Sequence, residues 1–366
     1  MTRSPRLLLA TGGTGGHVYP ALAVAREATS RGATVTVLGG AGGMEERLCA
    51  EAGVPFLGVS TGKWDRHRPD PRQALRALGG LWAARRLARE YAPDLVVGFG
   101  GFASLPGCAA ARLLGVPLVL HEGNAFPSRV NRWFAGSSRL FVSAQPEALA
   151  HVRAPRTLVV PFPVREERVP REAARAALGL PRDAVVTLVM GGSQGSLTLN
   201  RAVPAAYLAL PAPTDPARPH VVLHSTGPRW LAEVEGALAG TEARAAADAR
   251  YFARPYLDAA TAWSAADLAI TRAGVGTLSE AAFHGVPTLM VPLPSAAEDH
   301  QRHNARAVAA AGAGVMLEED DLGRLAQVWA GALEPTWRAQ AAAAAAARTP
   351  AGAARRIVGA VLELVS

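Results

Sequence analysis

The sequence predicts an α/β protein of two doubly wound domains facing each other. Three observations carry this. The chain has 366 residues, beyond the ~250–300 at which a single hydrophobic core stops growing, so two domains are the default. Short apolar runs alternate with longer helix-like segments, the pattern of a parallel sheet with crossover helices. The alternation breaks at a Pro-containing stretch and restarts, and each series opens with a glycine-rich turn between strand and helix.

In the first series, strands are expected at Leu7–Ala10, Thr34–Leu38, Leu95–Val97, Pro117–Leu120 and Leu140–Val142. Helices are expected at Tyr19–Ser30, Met44–Glu51, Arg72–Tyr91 and Phe102–Leu114. Val159–Val164, followed by the charged run Arg165–Arg171, reads as a domain junction. The second series places strands near Val185–Met190, His220–His224, Leu268–Thr271, Thr288–Val291 and Gly314–Leu317. Its helices fall near Leu197–Leu210, Thr277–His284, His300–Ala311 and Leu322–Leu333. The alanine run Ala341–Ala347 favours a helix over a linker, because alanine has the best helix propensity. The tail spaces Ile357, Val358, Val361, Leu362 and Val365 as an amphipathic helix packing on a domain. The expected domains are therefore 1–163 and 164–349, with a terminal helix over 350–366.

Composition narrows the function classes. Hydrophobic residues make up 49%, which excludes a largely disordered chain. Cys49 and Cys108 stand in no metal-ligand or redox spacing, so no disulfide framework or structural zinc is expected. No run approaches the ~18 apolar residues of a spanning helix, and Leu7–Ala10 is too short for a signal peptide. A soluble, cytoplasmic protein is the expectation. Lys plus Arg is 38 against 30 for Asp plus Glu, a net +8. Such a surplus suits an anionic partner, whether acidic membrane, phosphorylated substrate or nucleic acid; a genomic bias toward Arg is the plain alternative. Residues 62–91 concentrate it, with eight cations against three acids and Trp64, Leu75, Leu78 and Trp82 interleaved. That stretch is either a membrane-facing helix or an ordinary amphipathic helix with solvated arginines. No nucleic-acid motif accompanies the charge.

Chemistry concentrates in the glycine turns. Strand Leu7–Ala10 runs into Thr11-Gly12-Gly13-Thr14-Gly15-Gly16-His17 before a helix. Glycines there let backbone N–H groups approach an anion at a helix N-terminus. A dinucleotide fingerprint fails at Val18, and a Walker A loop fails because His17 stands where Lys is needed. His17 is thus either a functional group beside a glycine-built cavity or a solvent-facing residue of a tight turn. The matching turn Gly191-Gly192-Ser193-Gln194-Gly195-Ser196 follows strand Val185–Met190. Two such loops suggest a ligand across an interdomain cleft; an ordinary strand–helix turn is the alternative for the second. In the third cluster, Thr271–Glu280, Glu280 is expected in the first turn of a helix. There it either accepts from a ribose diol or simply caps the helix. The run Glu298–Asn304 suits a sugar pocket, and His300 with His303 lacks a third metal ligand. Gly98–Ser104 and His121-Glu122-Gly123-Asn124 also follow strands. No Asp-x-Asp triplet occurs, which speaks against a bridging metal.

The segments GGTGGHVYPALAVA, GFGGFASLPG, LHEGNAFPSRVNRWFA, GGSQGSLTLN, TRAGVGTLSEAAFHGVPTLMVP and EDHQRHNA occur in this order. Together, over almost the whole chain, they closely resemble the MurG family, the UDP-N-acetylglucosamine:lipid-linked muramyl-pentapeptide N-acetylglucosaminyltransferases of peptidoglycan synthesis. The resemblance implies a GT-B fold of two Rossmann-like domains. It implies inverting transfer of GlcNAc from UDP-GlcNAc to the C4 hydroxyl of MurNAc on lipid I, giving lipid II, with no cofactor or metal. It also implies an anionic inner-leaflet membrane surface, and other cell-wall synthesis proteins, as partners at the cytoplasmic face of the plasma membrane. Carried over by motif, Thr14, Gly15, Gly16 and Asn124 contact the donor or meet the acceptor. Arg165, Ser193, Tyr256 and Gln301, with Val275, Gly276, Thr277, Leu278, Ser279 and Glu280, fall where the family holds UDP-GlcNAc. Tyr256 acts through its backbone toward uracil, and Glu280 binds the ribose. Two positions depart from the family pattern: Gly123 replaces a glutamine, and Pro161-Phe162-Pro163 precedes Val164-Arg165. His17 is the expected general base, since histidine titrates near working pH. Glycine-loop N–H groups, helix dipoles and Arg165 take a metal's place at the leaving diphosphate. A non-catalytic nucleotide-sugar scaffold and an enzyme with a small soluble acceptor are the rival readings.

Overall fold

A computed structural model describes residues 3–61, 71–192, 194–211, 218–239 and 250–365, with only the backbone of 71–77. The chain divides into two units, Met1–Val164 with Gly352–Ser366, and Arg165–Ala351.

The first unit is a seven-stranded, all-parallel sheet in the order β3-β2-β1-β4-β5-β6-β7. Its strands are β1 (Arg6–Ala10), β2 (Thr34–Gly40), β3 (Phe56–Val59), β4 (Leu95–Gly98), β5 (Leu118–Glu122), β6 (Leu140–Ser143) and β7 (Thr157–Val159). The helices are α1 (Gly15–Ser30), α2 (Met44–Glu51), α3 (Pro71–Tyr91), α4 (Leu105–Leu114) and α5 (Arg129–Phe134). Successive strand residues point to opposite faces, and both faces of this sheet are covered. Leu7 and Leu9 pack with Val18, Val24 and the returning Ile357 and Val361. Leu8 and Ala10 pack with Ala84 and Ala88 of α3 and Ala110 of α4. Covered faces explain why β1 reads as an unbroken apolar run rather than an alternating one.

The second unit repeats the plan in six parallel strands, β10-β9-β8-β11-β12-β13. These are β8 (Val185–Met190), β9 (His220–Ser225), β10 (Tyr251–Arg254), β11 (Leu268–Thr271), β12 (Thr288–Met290) and β13 (Gly314–Met316). Helices α6 (Arg171–Ala177), α7 (Leu197–Leu208) and α8 (Leu231–Leu238) come first. The helices Ala259–Ala265, Val275–His284, His300–Ala310, Leu325–Leu333 and Pro335–Arg348 follow. In both units the strand order reverses beside the first strand, at β1/β4 and at β8/β11. Loops leaving the carboxyl ends of those pairs diverge and open a crevice, where open α/β sheets bind ligands.

Several expectations are refined. The segment read as a junction ends where the two units divide, after Val164, and its first residue, Val159, is the last of β7. The segment Phe102–Leu114 divides into a 3-10 turn, Phe102–Ser104, and α4. β2 runs two residues beyond Leu38, where Gly39 and Gly40 pair with Gly58 and Val59 of β3; a side chain at Gly39 would lie 2.7 Å from the Thr11 carbonyl oxygen. The terminal helix Ala353–Leu362 belongs to the first unit, far from it in sequence.

Candidate active site

In the first unit the sites converge on the β1/β4 reversal. α1 begins at Gly15, not at Tyr19, so His17 sits in its first turn rather than closing a loop. Thr14 is the N-cap residue, but its hydroxyl turns to His17 Nδ1, 3.0 Å away, instead of capping a backbone amide. The hydroxyl can accept from Nδ1–H, and in that tautomer Nε2 carries the lone pair a base needs.

The turn after β4 closes over the imidazole. Gly100 and Gly101 adopt φ of +77° and +72°, the left-handed region that favours glycine. A Cβ on Gly101 would lie 2.9 Å from His17 Nδ1 and 2.9 Å from the Gly12 carbonyl oxygen. Beneath the β1 turn lies a residue that sequence reasoning missed, the buried Glu45. Its carboxylate accepts from Gly40 N at 2.9 Å and reaches Gly13 N at 3.4 Å. A Cβ on Gly12 would meet it at 2.1 Å.

Asn124 joins this cluster through a second buried acid. Glu122 accepts from Asn124 N (2.9 Å), Asn124 Nδ2 (3.0 Å), Ser128 N (2.8 Å) and Asn131 Nδ2 (2.9 Å). Asn131 Nδ2 also donates to the His121 carbonyl oxygen at 3.0 Å, and a Cβ on Gly100 would approach it to 3.1 Å. Burial pushes the Glu122 carboxyl up, opposed by those hydrogen bonds. Burial, with His17 nearby, pushes the His121 imidazole down to about 3, so it is neutral. Glu122 and Asn131 therefore support Asn124 and the β4 turn. The signal for Glu122 was present in the His-Glu-x-Asn run, which reads equally as a ligand contact.

In the second unit the β8 and β11 loops meet through Arg272, a buried residue not singled out from the sequence. It donates to Ser196 Oγ at 3.0 Å and to the Val291 carbonyl at 3.2 Å. Gln301 Oε1 accepts from Ala273 N (3.1 Å) and Leu293 N (3.0 Å), which pins the turn after β11. The helix Val275–His284 starts after Gly274, so Glu280 lies in its second turn, not its first. Capping is therefore not its role; Glu280 Oε2 accepts instead from Trp263 Nε1 at 3.1 Å. Burial pushes the Glu280 carboxyl up, and that hydrogen bond opposes the shift. Leu278 and Ser279 turn their side chains into the core. Space is open at Gly276, where first-turn amides lack intrahelical partners.

The helix Ala259–Ala265 connects further sites. Its N-cap Asp258 accepts from Thr261 N at 2.9 Å and lies 3.9 Å from Arg165. Arg165 also pairs with Glu167. Trp263 of the same helix holds Glu280, and Tyr256, with its side chain exposed, immediately precedes it. Ser193 lies outside the described residues. Among the described residues no three potential metal-ligand side chains converge.

Comparison with known proteins agrees with both halves. Residues 7–139 match the glycosyltransferase family 28 N-terminal domain, and residues 186–357 match the family 28 C-terminal domain. The chain is 46% identical to a Deinococcus deserti protein, over 96% of each chain. That protein is named UDP-N-acetylglucosamine–N-acetylmuramyl-(pentapeptide) pyrophosphoryl-undecaprenol N-acetylglucosamine transferase. The Deinococcus radiodurans protein of the same name is also 46% identical, over 96% of this chain and 93% of its own. Among solved structures, Acinetobacter baumannii MurG superposes with a TM-score of 0.79 at 28% identity, covering 98% of this chain and 99% of that one.

Proposed function

The chain belongs to glycosyltransferase family 28, and on that premise we propose that it converts lipid I to lipid II. GlcNAc passes from UDP-GlcNAc to the C4 hydroxyl of MurNAc-pentapeptide on undecaprenyl diphosphate, with inversion and without a metal. The observation that carries this reading is His17, held by Thr14 at 3.0 Å beneath the Gly100–Gly101 turn.

The chemistry balances on the chain's own groups. His17 Nε2 takes the proton of the C4 hydroxyl as that oxygen attacks C1 of GlcNAc. The C1–O bond to the β-phosphate breaks, and UDP leaves with the electron pair. Free amides at the start of the helix Val275–His284 and the Arg165 guanidinium offset the growing charge. Glu280, braced by Trp263, accepts from the ribose hydroxyls. Thr14 holds the imidazole through Nδ1, and Asn124, braced by Glu122, presents its amide to the acceptor side.

The acceptor's lipid requires a membrane surface, and α3 and α4 supply one. Trp82 is 70% exposed, Leu78 55% and Leu113 64%, on two helices packed on one face of the first sheet. Arg85, Arg86, Arg89 and Arg112 accompany them. Apolar side chains set among arginines suit the anionic cytoplasmic leaflet. No described helix is long and apolar enough to cross a membrane, and docking is peripheral in this reading. Lys63, Trp64, Arg66 and Arg68, part of the same charged stretch, lie outside the described residues.

A donor and acceptor screen tests the proposal. UDP-GlcNAc and a lipid I analogue, with EDTA present, should give a β-linked disaccharide product. Equal turnover with a small soluble acceptor, UDP binding with no turnover, or loss of activity in EDTA restored by Mg²⁺ would each contradict it.

A further inference from the structure

The second unit contains a buried polar chain that the transfer reaction leaves unused. His224 on β9 is fully buried. Its Nδ1 lies 2.7 Å from the Tyr251 hydroxyl on β10, and its Nε2 lies 2.9 Å from Asn200 Oδ1 on α7. Asn200 Nδ2 donates to the Thr226 carbonyl at 2.8 Å. All four residues are more than nine-tenths buried.

Chemistry fixes the direction of every bond. A carbonyl only accepts, so the Asn200 NH₂ must face Thr226 and its oxygen must face His224. That oxygen also only accepts, so His224 Nε2 carries the hydrogen. Nδ1 is left as an acceptor, and the Tyr251 hydroxyl must donate to it. Burial keeps the imidazole neutral, with its pKa pushed down to about 3, as a single tautomer requires.

The chain ends where two loops touch backbone to backbone. Gly195 and Gly227 have φ of +75° and +82°. A Cβ on Gly195 would lie 1.9 Å from the Thr226 carbonyl oxygen, and one on Gly227 would lie 2.3 Å from that of Gln194. Neither loop can shift without the other, and the first is a turn closed by Gly195 N to Gly192 O at 3.0 Å. At the same residue, Thr226 N donates to Arg254 O at 2.9 Å, two residues before Tyr256.

We propose that Tyr251, His224 and Asn200 form a positioning relay of fixed polarity. It holds Gly195 and Ser196 in place for the donor's diphosphate and the β10–Tyr256 turn in shape for its base. The relay rests on the assignment of the UDP donor to this unit, and none of the three side chains contacts the donor.

Nitrogen NMR of the full-length, ¹⁵N-histidine-labelled protein reads the tautomer directly, with His224 identified by its loss in His224→Gln. The Nε2–H tautomer is expected; an Nδ1–H tautomer overturns the relay. Tyr251→Phe removes one hydroxyl and leaves Nδ1 unpaired. The KM for UDP-GlcNAc should rise about tenfold, the equivalent of one buried hydrogen bond. The kcat should stay within about twofold, since transition-state contacts are untouched, and the KM for the lipid acceptor should not move. An unchanged donor KM overturns the relay. A wild-type protein that does not bind UDP contradicts the donor assignment instead, while the tautomer still decides the relay.

Discussion

In the proposed mechanism His17 is the base, and the groups that hold its ring are a hydroxyl and two glycines. Removing the imidazole by His17→Ala should lower kcat by roughly 10²–10⁴, the usual contribution of general base catalysis. The donor KM should change little. Loss of UDP-GlcNAc binding with near-normal turnover at saturation would make His17 a binding residue. In the same proposal the Glu280 carboxylate binds the ribose. Glu280→Gln keeps an acceptor for Trp263 but gives up charge-assisted bonds to the ribose, so UDP binding should weaken by ~1.5–3 kcal/mol. Calorimetry with UDP and its 2′-deoxy analogue checks this, because the mutant should also lose discrimination between them. A pH dependence follows from the raised Glu280 pKa. If the ionised form is the one that accepts from the ribose, wild-type affinity should fall as pH drops through that raised pKa. Glu280→Gln should lack that fall, and equal UDP affinity in both proteins would remove the ribose role.

At the scale of elements, motif positions were legible where glycine chemistry marks a turn. The turns after β1 and β8 lie where the sequence places them, because backbone approach and positive φ demand glycine there. Less legible was what tertiary contact decides. Gly15 and Gly16 are poor helix formers, yet they start α1 and bring His17 into its first turn. The short β3, β7 and β10 and the helix Ala259–Ala265 lack a strong period of their own. Glu45 goes unmarked in the sequence because nothing local shows that backbone amides converge on it, and Glu122 stands in a run that reads equally as a ligand contact. Arg72–Tyr91 was legible as a helix, and its outer face carries a prediction. Exposed Trp82 and Leu78 favour docking over a wholly core-facing stripe. Changing Arg72, Arg76, Arg85 and Arg89 to Gln should weaken binding to anionic vesicles, each cation contributing ~1 kcal/mol. Binding by the wild type should also fall with salt, and turnover of a short-chain soluble acceptor should be far less affected. Unchanged vesicle sedimentation by the quadruple mutant would place docking elsewhere.

At the scale of the whole molecule, the two units share one strand order but are closed differently. The second is continuous in sequence, whereas the first is completed by the helix Ala353–Leu362. That helix packs against α1 with Ile357, Val358 and Val361 fully buried. Polar ties add to it: Arg356 donates to the Val159 carbonyl at 3.2 Å, and Arg31 donates to the Arg355 carbonyl at 3.3 Å. Magnitudes separate the two contributions. Burying three branched side chains is worth about 1.5–3 kcal/mol each, together comparable with the ~5–15 kcal/mol net stability of a domain. Exposed polar ties are worth a fraction of that. A chain ending at Ala351 should therefore lose the first unit's cooperative unfolding while the second unit keeps its own. Arg356→Gln should barely move either transition. Hydrogen exchange reads the two units separately: in the truncated protein β1, β2 and β4 should lose protection, and β8, β9 and β11 should retain it. Protection retained throughout β1–β4 would show that the first core closes without its returning helix.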